Sequence, residues 1–268
     1  MINTEQTSPF RVMQLTDPHL MAEPSGELLG VNARDSLDAV IALALRNLVA
    51  PDLILATGDL AQDGSEQAYR VFADKLQVFD CPSVWLPGNH DHVQVLQQVI
   101  AGTGQGRRQV IAGGWQFIQL DTSVPGKVHG ELLAEELEFL NASLVAHPAL
   151  PAMVTLHHHP VDIGCDWMAD IGLRNREAFW QVIDRFPQVK IVLWGHIHQE
   201  FDEMRHNVRL LATPSTCIQF ESGSRDFSVE EKAPGYRWFD LYPSGDFETG
   251  VCRAVEFEYD LDSSSAGY

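Results

Sequence analysis

Lys190–His198 reads KIVLWGHIH. A short, unbroken run of Ile, Val, Leu and Trp marks a strand buried on both faces, as in a parallel sheet covered by helices. The run stops at Gly195, and His196 and His198 follow. Two residues apart, they share one side of an extended chain. The same grammar occurs four more times. VMQLTDPH ends in Asp17 and His19, and LILATGD ends in Asp59. SVWLPGNHD ends in Asn89, His90 and Asp91, and AMVTLHHH ends in His157, His158 and His159. In open α/β sheets, ligands bind just beyond the carboxyl ends of the strands. Five strands delivering nitrogen and oxygen donors to one edge predict a metal centre. The donors outnumber what one ion takes, so two ions are expected.

Between these strands the pattern changes period. Leu37, Val40, Ile41, Ala44, Leu45 and Leu48 are spaced like one face of a helix. Further helices are expected over 65–78, 93–100, 131–145 and 175–185. Gly113-Gly114, between two apolar runs, signals a hairpin. After His198 the chain turns strand-rich, with expected strands over 209–212, 215–220, 236–241 and 247–257 and a polar loop over 221–234. The order βαβαβα followed by mixed strands predicts an α/β fold: two packed mixed sheets flanked by helices. One domain is expected over 10–257, with flexible termini at 1–9 and 258–268; the Ser/Gly-rich stretch from Asp262 reads as disordered.

The 268 residues carry a formal charge of −19, with a pI near 4.8. Such a surface repels nucleic acid, and no cluster of Lys and Arg offsets it. An anionic substrate therefore needs local positive charge, which bound metal ions supply. Cys81, Cys165, Cys217 and Cys252 are scattered, without a Cys-x-x-Cys pair, and read as free thiols in a reducing compartment. The amino-terminal stretch lacks the basic and apolar regions of a secretion signal. No apolar run reaches the roughly 20 residues that span a bilayer. A cytoplasmic protein that does not engage a membrane is expected; a homodimer is left open.

Asp17-x-His19 and His196-x-His198 can each grip an ion from one side. Asp59 and Asn89 each follow a glycine, which permits a sharp strand-to-loop turn. A carboxylate at Asp59 has two oxygens and can bridge two ions. Asn89 offers an oxygen without added negative charge. The mixed donor set differs from a closed, Cys-rich structural zinc site. It suits Fe or Mn first, with Zn or Co as further choices, in a catalytic role. Two carboxylates against two divalent ions leave a net positive site, suited to a phosphate ester. Two ions about 3.5–4 Å apart can share a hydroxide and clamp the attacking and leaving oxygens.

The order D-x-H, G-D, G-N-H-D, H, G-H-x-H resembles the calcineurin-like metallophosphoesterase superfamily. The segments LLGVN (28–32), LHHHPVDIGCDWM (156–168), GLRN (172–175), TPSTCIQF (213–220) and APGYRW (233–238) are similar to bacterial class III 3′,5′-cyclic AMP phosphodiesterases. The resemblance spans about residues 10–255. It implies a four-layer sandwich that hydrolyses cyclic AMP to 5′-AMP and so lowers cyclic AMP signalling. The other substrates it leaves open are cyclic GMP, 2′,3′-cyclic nucleotides and glycerophosphodiesters. It implies one ion held by Asp17, His19, Asp59 and His198, and another by Asp59, Asn89, His157 and His196. It sets His19, Asp59, Asn89, His90, His157 and His198 against the substrate. His90 faces the phosphate as the catalytic group beside Asp59. Within the triple histidine, His157 directly follows the strand and is the first choice of ligand, with His159 the fallback. His158, Asp91 and His92 read as supporting or turn residues. Arg174 and Asn175 read as either pocket residues or a helix start. His129, His147 and His206 fall outside every block.

Overall fold

The computed structural model describes residues 8–47, 50–262, 264 and 267. β1 (Phe10–Leu15) runs parallel to β2 (Leu53–Thr57), which runs parallel to β3 (Ser83–Leu86). The second half begins with the hairpin β4 (Gln109–Ala112) and β5 (Trp115–Gln119), turning at Gly113-Gly114. β6 (Ala152–Thr155), β7 (Val189–Trp194), β8 (Phe201–Arg205) and β9 (Val208–Ala212) follow. β10 (Gly235–Leu241) and β11 (Phe247–Arg253) return to the first sheet, where β10 pairs antiparallel with β1. The two sheets have the orders β11-β10-β1-β2-β3 and β8-β9-β7-β6-β5-β4.

Alternation along the strands explains why their apolar runs are unbroken. Val12, Leu53, Leu55 and Val84 point to an inner cluster with Phe117, Met153, Ile191 and Leu193 from the second sheet. Their neighbours Met13, Leu15, Ile54, Ala56, Val154, Val192 and Trp194 belong to the outer cluster, which includes the buried helix faces. Each central strand is thus covered twice, by the other sheet and by helices, which is the expected four-layer arrangement. α1 (Ala33–Arg46) buries Leu37, Val40, Ile41 and Ala44 and is capped by Asn32, whose side chain accepts from the N–H groups of Arg34 and Asp35. α2 (Glu66–Leu76) packs against α3 (Val93–Ile100), and α4 (Ala134–Ala146) against α5 (Arg176–Ile183).

Two segments depart from the sequence expectation. Residues 215–218 form a loop and only Gln219–Phe220 pairs as strand. Their polar groups bond to the site instead of a ladder: Thr216 N–H donates to Thr16 O (3.0 Å) and Ser215 Oγ to Asp17 O (2.7 Å). The fourth helix starts at Ala134 rather than 131, because the Leu132 N–H and C=O are both engaged by the Asn175 amide (3.0 and 2.7 Å). Leu48 and part of the terminal segments expected to be flexible lie outside the described residues. Within 258–262, Tyr259 Oη donates to Lys232 O (2.8 Å) and Asp262 N–H to Leu29 O (2.9 Å). No helix of the described residues is long and apolar enough to cross a membrane.

Candidate metal centre

The strand ends converge through an unusual backbone. Asp17 (φ 52°), His19 (48°), Asp59 (48°), His196 (65°) and His198 (47°) all adopt the left-handed conformation. For a non-glycine residue this costs about 1–3 kcal/mol, and it persists where the surroundings hold it. Here they do. Asp17 N–H donates to Gly58 O and His19 N–H to Asp59 O, both at 3.0 Å. The His196 N–H lies 3.1 Å from both Asp17 carboxylate oxygens. The glycines preceding the donors make room for the neighbouring donor. A Cβ on Gly58, whose φ is +97°, would lie 2.8 Å from His157 Cγ. One on Gly88 would lie 2.7 Å from Asp59 Cγ, and one on Gly195 2.7 Å from Asp17 Oδ2.

The side chains then meet. His19 Nε2 is 3.1 Å from His198 Nε2, which is 3.3 Å from Asp17 Oδ1. Asp59 Oδ2 lies 3.3 Å from His157 Nε2 and 3.9 Å from His19 Nε2, so this carboxylate stands between the two groups of histidines. His157 Nε2 is 3.2 Å from Asn89 Oδ1. Donor atoms of Asp17, His19 and His198, of Asp17, Asp59 and His157, and of His19, Asp59 and His90 cluster within 4.8 Å. All of these except His90 are buried. Asp17, His19, Asp59, Asn89, His90, His157, His196 and His198 are thus gathered at one edge.

The opposite ring nitrogens test whether a cation fits. His19 Nδ1 faces Gln62 Oε1 (2.6 Å), His198 Nδ1 faces Ile218 O (3.0 Å) and His157 Nδ1 faces Thr57 O (2.8 Å). Each Nδ1 therefore carries the hydrogen, and each Nε2 presents its lone pair inward. Two such lone pairs oppose each other between His19 and His198, and a third faces the oxygens of Asp59 and Asn89. A cation between them would satisfy that geometry. His196 is held differently: its Nε2 faces Ile171 O (3.0 Å), and its ring nitrogens lie near those of His157 and His158. The donor set fits divalent metal ions.

Electrostatics agree. Burial opposes ionisation of Asp59, but His157, His90 and His19 hold its carboxyl well below the usual range. Burial likewise opposes a charged His157, yet Asp59 beside it raises the ring to about 9. Burial pushes His19 down to about 3, and burial with the neighbouring His158 and His157 pushes His196 well down. The two carboxylates and the neutral His19 and His196 match the protonation states a metal requires, whereas His157 holds a proton that a bound ion would displace.

The triple histidine divides cleanly. His158 comes near His157 and His196, but both its nitrogens are engaged, with Thr122 Oγ1 (2.7 Å) and Val128 O (3.0 Å). The His159 ring stacks on His196 at 5.7 Å and 17°, on the side of Gly172. His157 is the one aimed at Asp59. Asp91 clamps two donor loops together: Oδ2 accepts from Gly88 N–H (2.8 Å) and Leu60 N–H (3.2 Å), and Oδ1 from Ala61 N–H (3.0 Å). His92 N–H donates to Tyr69 Oη (2.8 Å). Asn175 is committed to Leu132, and Arg174 lines a separate cavity with Asp162 and Glu177. Sequence reasoning missed Gln62, which orients His19, and Phe220, whose ring lies flat on His198 at 4.1 Å and 4°. Gln62 follows the G-D block by three residues, and that proximity was its only signal.

A cavity of about 400 Å³ adjoins Asn89, His90 and His196. A roomier one of about 850 Å³ lies among Phe10, Asp52 and Ser83, at the amino ends of β1–β3, away from the donors.

This fold, with its donors, defines a metallophosphoesterase, and the chain belongs to the calcineurin-like phosphoesterase family, whose profile matches residues 10–200. Among its relatives are the proteins named 3′,5′-cyclic adenosine monophosphate phosphodiesterase CpdA. The one from Pseudomonas aeruginosa is 42% identical over 96% of this chain and 94% of its own length. The one from Escherichia coli (strain K12) is also 42% identical, with the same coverage. A crystal structure of a dimetal phosphatase from Danio rerio shares the fold, with TM-score 0.70 and 14% identity over 96% of this chain and all of that one.

Proposed function

We propose that the protein hydrolyses 3′,5′-cyclic AMP to 5′-AMP at a dinuclear metal centre, and so lowers cyclic AMP signalling. The observation that carries the substrate is the 42% identity, over nearly full length, with proteins named for that reaction. Asp17, His19, Asp59 and His198 would hold one ion and Asp59, Asn89, His157 and His196 the other, with Asp59 serving both. Iron or manganese suits this nitrogen and oxygen set. Bound ions supply an activated water and offset phosphoryl charge. The chain's own residues do the rest. His90 N–H fixes Asp59 Oδ1 at 2.8 Å, which sets the half-buried His90 beside the centre, its ring 5.0 Å from that of His19. From there His90 stabilises the phosphate and hands a proton to the leaving 3′ oxygen, while Asn89 and His157 line the same face. Residues 10–257 act as one catalytic domain in the cytoplasm, a reading supported by the free thiols of Cys81, Cys165, Cys217 and Cys252.

The test is turnover of cyclic AMP by protein loaded with Mn(II) or Fe(II), products separated by chromatography, beside a chelated control. Metal-dependent 5′-AMP is expected. Formation of 3′-AMP would reverse the leaving group, and no nucleotide product would refute the substrate.

A further inference from the structure

β1 buries one polar side chain, Gln14, among its apolar ones. Val12, Leu55 and Leu211 face the space between the two sheets. Two residues further along the same faces, alternation brings Gln14, Thr57 and Thr213, all fully buried. The apolar core between the sheets therefore ends in a polar layer, and Asp17 and Asp59 follow Gln14 and Thr57 within three residues. In that layer the Gln14 amide reaches three neighbours. Its Nε2–H groups donate to Thr57 Oγ1 (2.8 Å) and Trp194 O (3.1 Å), and its Oε1 accepts from Thr213 Oγ1. A carbonyl such as Trp194 O can only accept, which fixes the end of the amide that faces it. Thr57 shares the first sheet with Gln14, whereas Trp194 ends β7 and Thr213 follows β9, both in the second. Arg237, opposite Gln14 in the β1–β10 ladder, crosses in the same layer, its Nη2–H donating to Ala212 O (2.9 Å).

We propose that Gln14 is a positioning residue: its amide clamps the two sheets together beneath the metal centre and so sets how tightly the centre holds its ions. The inference rests on reading the centre as a two-ion site. On that reading each ion takes donors from both sheets: Asp17, His19 and Asp59 with His198, and Asp59 and Asn89 with His157 and His196. A slip of one sheet on the other would then separate the donors of both ions at once. Two observations tie Gln14 to this role. First, its partners lead straight to donors. Thr57 O receives His157 Nδ1 (2.8 Å), Thr57 precedes Gly58-Asp59, and Trp194 stands two residues before His196. Second, a buried amide costs free energy unless it is bonded, and here both its nitrogen and its oxygen are engaged. A satisfied buried polar group holds its neighbours in one arrangement, which an apolar side chain at this place would not do.

The experiment sets Gln14→Met, which keeps an unbranched side chain and removes the amide, beside a matched control, Gln116→Met. Gln116 is also fully buried, and its Nε2–H groups also donate to carbonyls, those of His147 (3.1 Å) and Leu150 (3.4 Å), but near the start of β5, away from the donors. Metal-stripped wild type and both variants are titrated with Mn(II), the free ion being read by electron paramagnetic resonance. The spectrum of each loaded protein is also recorded, since coupling between two Mn(II) ions depends on their separation. Removing a group that orients metal ligands costs about 10- to 100-fold in affinity. In Gln14→Met the Kd for Mn(II) should rise at least about 10-fold and the coupled spectrum should change. Gln116→Met should match wild type in both, although each variant loses thermal stability. Wild-type affinity and spectrum in Gln14→Met overturn the clamp, and so does an equal loss of affinity in Gln116→Met. If Gln14→Met does not fold, Thr213→Val, which removes one of the three bonds, decides by the same titration: a raised Kd supports the clamp and a wild-type Kd overturns it. Wild-type protein that takes up one ion or none would overturn the two-ion centre, and the clamp with it.

Discussion

Gly88→Ala tests the idea that the glycines at the strand ends exist to let donors approach. Gly88 does not occupy the left-handed region, so alanine suits its backbone; the obstacle is steric. The added methyl would lie 2.7 Å from Asp59 Cγ and closer still to its Oδ1. A normal contact needs about 3.5 Å or more, so the carboxylate or the loop must yield by roughly 1 Å. Asp59 has little room to yield, since it is buried, accepts from His90 N–H at 2.8 Å and faces His157 at 3.3 Å. A misplacement of about 1 Å at reacting groups costs on the order of 100-fold in rate. Overpacking a filled site costs about 1–3 kcal/mol, which in a chain of this size lowers Tm by roughly 2–4 °C per kcal/mol. The assay is threefold: metal per chain by elemental analysis, cyclic AMP turnover at saturating Mn(II), and thermal unfolding. Substoichiometric metal with a rate loss near 100-fold is expected. A variant with full metal and wild-type turnover would refute the argument that Gly88 is required for the Asp59 approach.

Further expectations concern single groups. His90→Ala should retain its metal by elemental analysis and lose about 10²- to 10⁴-fold in kcat, the usual span for a lost proton donor; unchanged turnover would remove His90 from the reaction. Asp91→Asn replaces one acceptor oxygen with a donor amide against the N–H groups of Gly88, Leu60 and Ala61. It should lose about 1–3 kcal/mol, the cost of a buried unsatisfied group, read by urea unfolding of the metal-loaded protein. Far from the centre, the hydrogen-bonded Arg205 holds the Asp184 carboxyl below its ordinary value. A lowered carboxylate pKa stabilises above the unfolded value, near 3.8, and the gain is lost as pH falls through the folded one. The pair is partly exposed, so Arg205→Ala should cost about 1 kcal/mol or less at pH 7. That difference should shrink in denaturant curves taken below pH 4.

What the sequence revealed and what it hid have physical reasons. β1, β2, β6 and β7 were legible because burial on both faces writes a continuous apolar run, and the donors because they end those runs. His157 was separable from His158 and His159 only in space. Adjacent side chains point different ways, and the partners that hold His158, Thr122 and Val128, lie 36 and 30 residues away. The stretch Ser215–Ile218 has the composition of a strand, but its polar groups bond to Thr16 and Asp17, nearly 200 residues back. Composition does not encode such a partner. Gln62 and Phe220 escaped for the same reason: each acts on a histidine from a distant segment.

The left-handed backbone at Asp17, His19, Asp59, His196 and His198 has a consequence for how this protein changes under selection. At about 1 kcal/mol or more per residue, the strained edge holds on the order of 5 kcal/mol, comparable with the whole margin that keeps a domain folded. Glycine at any of these positions relaxes the backbone and removes a donor in one step. A library screened for heat resistance alone, in chelator, should therefore gather glycine and asparagine there, and its hardiest members should be inert.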